Sequence, residues 1–474
     1  MIFNSLEFAV FLGLVLGIYW TVPPRLRNHV LLASSYVFYG WWDWRFLTLL
    51  AFSTVADFTI ARRLHRTDGE NQRKLFLWLS LSINLGVLGI FKYYDFFVGS
   101  AIDALAGIGL EPNPPLLNIL LPVGISFYTF QTISYTFDVY RRQIEPTSSV
   151  VVFATYVAYF PQLVAGPIER ARRLLPIIAE PTRRSFPVEA RLTQAFSLIL
   201  AGLFKKVVIA DGVAPIVNEV FDSPGELSWI MVVVGVIGFA IQIYGDFSGY
   251  SDIARGVSAL LGIDLVVNFT EPYLSRSITE FWRRWHISLS DWLRDYLYIS
   301  LGGNRKGNLM TYRNLMLTML LGGLWHGASW NFVVWGALHG LFLAAHRFFR
   351  NGHVPKTDPT LRDLPSIVGT FGLVCFAWVF FRAESFTQAG AVLGQIATFG
   401  SGALNLWDMA VVLFLGSLVV WLDLRQRRSL RDPGDSTPVP SLAGLRTGVL
   451  TGCLATGVLI FSGSAGEPFI YFQF

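Results

Sequence analysis

Apolar windows close to the roughly 20 residues a helix needs to cross a bilayer recur along the whole chain. They lie at 4–22, 75–91, 229–243, 364–381, 406–422 and 446–462. No other feature limits the fold as strongly. Composition points the same way: of 474 residues 53% are hydrophobic and only 15% charged, against roughly 25% charged in soluble domains. The chain reads as an all-α polytopic membrane protein with about 11–12 transmembrane helices.

The first window lacks the basic start of a secretory signal and no small-residue cleavage site follows it, so it reads as a retained span. The net charge of +5 matters through its placement. Basic residues fill Arg25 and Arg27, 62–74, Arg141 and Arg142, 170–184, 276–306, 347–356 and 425–431, whereas 99–116, 211–228, 383–405 and 463–474 hold no Lys or Arg. The positive-inside rule puts the first set in the cytoplasm and the second outside. Threading the spans through these loops gives about twelve crossings with both termini outside, provided 149–168 dips in and returns. That segment contains Pro161, Gly166 and Pro167, and irregular backbone at membrane depth is tolerated only when buried in protein or lining a cavity. The stretch 250–306 has the same character. With no internal repeat and one linker-like loop at 432–441, a single membrane domain over 1–474 is the economical reading.

Four groups of residues could carry chemistry. Read as one helix, 281–299 puts Arg284, Ser288, Asp291 and Asp295 on one face and Trp282, His286, Leu289, Leu293 and Leu297 on the other. His286 is then either a hydrogen-bonded core histidine or the lining of a buried polar cavity. The greasy stretch "LLGGLWHGASWNFVVWGALHG" (320–340) sits in a segment, 309–347, that leaves and re-enters the cytoplasm, so it bends near Gly327, Ala328 and Ser329. His326 falls beside the bend, beside Trp325, and an ionisable intramembrane residue is a functional candidate. On the returning arm Phe332, Trp335, His339, Phe342, His346 and Arg350 share a face, with His346 and Arg350 read as interfacial anchors. Asp246, Ser248, Asp252 and Arg255 lie among glycines in "QIYGDFSGYSDIARG" (242–256), where capping of the next helix is the leading reading. Lys205 and Lys206 interrupt an apolar segment and are expected to snorkel. Cys375 and Cys453 read as packing or lipid-facing residues, and no metal-ligand spacing accompanies the acids. Nucleotide-binding, serine-hydrolase and redox motifs are absent.

Taken together, "FPQLVAGPI" (160–168), "QIYGDFSGYSDIARG", "SITEFWRRWHISLSDWLRDYLYI" (277–299) and the 320–340 stretch resemble the membrane-bound O-acyltransferase (MBOAT) family, in the family's order. The N-terminal "MIFNSLEF" and terminal "PFIYFQF" bring the chain nearest to the bacterial branch that serves alginate O-acetylation. The resemblance implies a helical body with re-entrant segments around a central tunnel, and a motif core at 242–346. It places the family's principal catalytic histidine on His326 and its second active-site position on His286. His339, Trp325, Trp282, Asp246, Ser248, Arg283 and Arg284 are then candidates for substrate binding or tunnel lining.

The implied activity is O-acyl transfer, most simply of acetyl, from a cytoplasmic thioester to an exopolysaccharide or cell-wall polymer outside the inner membrane. The donor, acetyl-CoA or the phosphopantetheine arm of an acyl carrier protein, would be a substrate; no tightly bound cofactor is expected. Expected partners are membrane lipid, a periplasmic SGNH-like acetyltransferase and polysaccharide synthesis machinery, and no nucleic acid. A neutral imidazole suits His326 to act as general base, with His286 orienting the thioester or stabilising charge on its carbonyl. Arg283, Arg284, Arg305 and Lys306 could attract an anionic donor, or only mark the cytoplasmic side. Transfer of D-alanyl or another acyl group is one alternative. A proton-coupled exporter or flippase, with Asp246, His286, His326 and His339 as a relay, is the rival from a different class.

Overall fold

The computed structural model describes residues 1–110, 112–164, 166–350, 352–355, 357–431, 445–461 and 469–470, of which 426–431, 445–450 and 461 are described by backbone alone. The expected loop at 432–441 and most of the arginine-free end at 463–474 lie outside them. Among the described residues the fold is helical, with one isolated bridge between Leu227 and Ala403 as its only extended pairing. Its contacts gather into two compact units, 1–186 with 260–265, and 187–259 with 266–474.

The first unit contains α1 (Leu6–Thr21), α2 (Arg27–Asp43), α3 (Phe46–Arg66), α4 (Glu70–Leu88), α5 (Tyr94–Ala106), α6 (Ile125–Tyr140), α7 (Val150–Ala158), α8 (Phe160–Leu163) and α9 (Ala171–Ala179). Ser5 caps α1 through Phe8 N, and Ser149 caps α7 through Val152 N. α7 has 9 residues, about 14 Å at 1.5 Å per residue, which is half of a bilayer core. Tyr159 then leaves helical geometry and α8 adds 4 residues. The segment expected to dip and return is therefore two short, buried helices, neither of which can cross alone.

The second unit contains α10 (Glu189–Leu203), α11 (Asp211–Asp222), α12 (Trp229–Leu260), α13 (Ile278–Arg284), α14 (Ile287–Trp292), α15 (Asn308–His326), α16 (Trp330–Arg350), α17 (Leu364–Arg382), α18 (Phe386–Ala397), α19 (Leu406–Arg431) and α20 (Leu445–Phe461). α15 and α16 form the hairpin expected at 309–347, with its bend at 327–329. The arms approach until a Cβ on Gly323 would run into the Phe332 carbonyl oxygen, and one on Gly327 into the Phe332 ring.

Among the described residues, five helical stretches are long and apolar enough to cross a membrane: Glu70–Ala106, Trp229–Leu260, Trp330–Arg350, Leu361–Arg382 and Leu406–Arg425. Leu6–Thr21 and Thr451–Ile460 are shorter apolar helices. This is fewer than the expected crossings because other long helices turn polar groups inward. α3 buries Ser53, Thr54 and Asp57, and α15 buries Thr311, Asn314 and Thr318.

Candidate active site

The stretch expected to be one helix over 281–299 is broken in three. α13 ends at Arg284, Trp285 is extended, and His286 takes a left-handed backbone (φ 42°) before α14 begins. A wider i→i+5 turn then covers Leu293–Tyr298. Histidine visits this region more readily than bulky or β-branched residues do, yet the conformation has to be held in place. What holds it is the non-helical chain before α13. Thr270 N donates to Arg284 O (3.0 Å) and Ile287 N to Asn268 O (2.9 Å), bracketing the break.

Three histidines line up in one aromatic assembly. His326, at the end of α15, is 5% exposed. Its ring packs against Trp325 (5.0 Å between centroids), Trp335 (5.0 Å) and Phe381 (5.3 Å). Trp325 in turn lies 6.3 Å from the ring of His286, and Trp335 lies 4.7 Å from that of His339. The two residues expected to be catalytic are thus one indole apart, and so are His326 and His339. Phe247 of α12 closes over His286 edge-on at 4.6 Å.

Hydrogen bonds define which nitrogen carries the proton. Asn268 Oδ1 accepts the Ser288 backbone N–H (3.2 Å) and the Ser288 hydroxyl (2.9 Å), and His286 Nδ1 lies 3.2 Å from the same oxygen. A backbone N–H cannot donate to an amide NH2, so this atom is the oxygen and His286 Nδ1 is the donor. Neutral His286 therefore keeps its lone pair on Nε2, which is buried without a hydrogen-bond partner among the described residues. His339 is the reverse. The Trp282 indole N–H, a donor only, points at His339 Nδ1 (3.3 Å), so the ring's proton sits on Nε2, also buried without a partner among the described residues. With its proton on Nδ1, neutral His286 offers an acceptor, and not a donor, at Nε2.

The remaining candidates divide. Trp282 and Trp325 belong to the assembly. Ser248 is buried in α12 with its hydroxyl unpartnered among the described residues. Asp246 and Asp252 lie inside α12 and do not cap a following helix. Asp246 pairs with Lys206 (2.9 Å) and accepts the Ile470 backbone N–H (2.6 Å), while Asp252 pairs with Lys205 (2.9 Å). Lys206 also reaches Asp211 (2.8 Å). The expected snorkelling of both lysines is thereby overturned: carboxylates inside the helix packing hold them in, as buried charges require. Arg284 is tied to Glu280 (2.7 Å) and Glu271 (3.5 Å), whereas Arg283, Arg305 and Lys306 are exposed. His346 meets the Thr279 hydroxyl (2.8 Å). Both cysteines are free, Cys375 buried and Cys453 exposed.

Sequence reasoning missed Asn268, Phe247, Trp378 and Phe381. The signal for Asn268 was an amide set between Val267 and Phe269 in a non-helical apolar run. Trp378 stacks on Trp335 at 5.8 Å, and both indole nitrogens are buried without acceptors among the described residues.

A model of the membrane-bound O-acyltransferase family matches residues 36–383, a span that contains every one of these histidines. Over 514 aligned residues, covering all of both proteins, the chain is 41% identical to a probable alginate O-acetylase, AlgI, of Azotobacter vinelandii. It is 35% identical to a peptidoglycan O-acetyltransferase of Helicobacter pylori, over 81% of this chain and 76% of that protein. It is 26% identical to a teichoic acid D-alanyltransferase of Bacillus subtilis, over 58% of this chain and 72% of that protein. Helices apolar enough to cross a membrane, a buried histidine pair bridged by an indole, and a match that runs through both lead to one assignment: the chain is a multi-pass membrane acyltransferase of the membrane-bound O-acyltransferase family.

Proposed function

We propose that this protein moves acetyl groups from a cytoplasmic thioester to an exopolysaccharide or cell-wall polymer outside the inner membrane, with His326 as general base. The observation that carries the reading is His326 itself, buried at the bend of α15 and α16 and separated by one indole from the open Nε2 of His286. The names of the relatives from Azotobacter and Helicobacter support acetyl as the group and an envelope polymer as its destination.

In this reading an imidazole nitrogen of His326 takes the proton of an acceptor hydroxyl, whose oxygen attacks the thioester carbonyl carbon. The carbon–sulfur bond breaks, the thiolate leaves, and the proton on His326 goes to it. Burial in an aromatic shell keeps water from competing for the acyl group. His286 orients the donor from the cytoplasmic side. The acceptor is the polymer or a periplasmic SGNH-like acetyltransferase that passes the group on beside polysaccharide synthesis machinery. The donor is acetyl-CoA or an acyl carrier's phosphopantetheine arm, and exposed Arg283, Arg305 and Lys306 offer its phosphates a basic approach.

Comparing polymer acetylation with polymer export in cells carrying His326→Ala tests this directly. Acetylation should vanish while export continues. Lost export with acetylation intact would sink the enzymatic reading in favour of a transporter. Trapping acetyl covalently on His326 would replace the general-base route by a two-step one.

A further inference from the structure

We infer that Asn268 is the positioning residue of the active site: it fixes His286 with its proton on Nδ1 and its lone pair on Nε2. This rests on the reading that His286 works in acyl transfer. The argument comes from three donors converging on one oxygen. Asn268 Oδ1 receives the Ser288 N–H, the Ser288 hydroxyl and His286 Nδ1–H at 3.2, 2.9 and 3.2 Å. The amide cannot turn over, because its NH2 would then face the Ser288 N–H, donor against donor. Its other side is also occupied, by Asn268 Nδ2 reaching the Ser251 hydroxyl at 3.4 Å. Asn268 is buried, so water does not compete for any of these contacts.

The same oxygen solves a local folding problem. His286 occupies the position before the first turn of α14 and makes no capping bond with its own side chain. Asn268 caps that turn from outside, through Ser288 N. One residue thus holds the left-handed kink, the start of α14 and the tautomer of the ring. Toward substrate, His286 presents a hydrogen-bond acceptor. It can take a bond from the acceptor hydroxyl or from a donor amide N–H, and it becomes a donor itself only after gaining a proton.

The experiment compares His286→Ala, Asn268→Ala, Asn268→Leu and Asn268→Asp in purified, folded protein, following transfer of labelled acetyl from acetyl-CoA against pH. Asn268→Ala and Asn268→Leu should lower kcat at least tenfold with a smaller change in KM. Asn268→Asp keeps an acceptor at the same place and should restore most of the rate. Its carboxylate favours the imidazolium, so the acid limb of the rate profile should move to higher pH. A merely structural cap predicts loss of folded protein, with the profile of the survivors unmoved. Wild-type rate in Asn268→Leu, or an unmoved profile in Asn268→Asp, overturns this inference alone. Wild-type rate in His286→Ala overturns the reading beneath it.

Discussion

Asp57 in the first unit and His286 in the second are both completely buried, and their surroundings treat them differently. Asp57 Oδ1 accepts from the Ser80 hydroxyl (2.5 Å) and the Thr136 hydroxyl (3.3 Å), and Oδ2 from Asn84 Nδ2 (2.7 Å). Asn84 Oδ1 is engaged in turn by the Thr132 hydroxyl (3.0 Å). The network joins α3, α4 and α6 and closes on itself. Around the histidines it stays open: His286 Nε2, His339 Nε2 and the indole nitrogens of Trp335 and Trp378 are buried without partners among the described residues. Buried polar groups are nearly always paired, so an orphan needs a reason. A closed network holds helices in register. An open one spends stability to keep atoms available for a ligand.

That contrast can be broken by mutation. The largest effect is expected from His326→Ala, which should cut acyl transfer by about 10²- to 10⁴-fold, the usual worth of a general base. Thermal unfolding in detergent should barely change. Asp57→Ala should do the opposite. It strands the Ser80, Asn84 and Thr136 donors, at about 1–3 kcal/mol for a stranded group, while transfer per folded molecule stays at the wild-type value. A fall in that specific rate would mean that the closed cluster also serves the reaction. Gly323→Val belongs between these two kinds of change. Its side chain collides with the Phe332 carbonyl and with Gly336 Cα, so about 1–3 kcal/mol of overpacking should appear together with a partial loss of activity as His326 shifts. Melting temperature and rate, measured on the same preparation, separate the three variants.

How much of this was legible depended on the kind of signal. The α15–α16 hairpin could be read because topology from basic loops is a property of the bilayer and needs no partner segment. His326 followed from its place at the bend. The 281–299 stretch misled because its apolar and polar residues repeat at helical spacing on both sides of a break. The break is imposed by backbone bonds from 268–270, residues outside the window. Lys205 and Lys206 misled for a related reason. A lysine in an apolar segment snorkels unless a carboxylate meets it; Asp252, which meets Lys205, and Asp246, which meets Lys206, stand 40 or more residues away in sequence, and only Asp211, the second partner of Lys206, lies close by. Tautomers were not legible at all, since they depend on which donor faces which ring nitrogen.

The smallest effect tests the open network where it is most specific. Trp282→Phe keeps an aromatic ring against His339 but removes the indole N–H that now occupies Nδ1. Losing one hydrogen bond to a neutral ring costs about 0.5–1.5 kcal/mol, and His339 is then free to carry its proton on either nitrogen. If His339 Nε2–H serves a substrate oxygen, kcat should fall a few-fold while the KM for the thioester stays nearly constant, because an oxyanion draws on the donor more than a carbonyl does. His339→Phe should then lose more than Trp282→Phe, and combining the two should add nothing further, since both act through the same nitrogen. Independent, additive losses would show instead that Trp282 and His339 are packing neighbours. The open network would then shrink to His286, His326 and the rings around them.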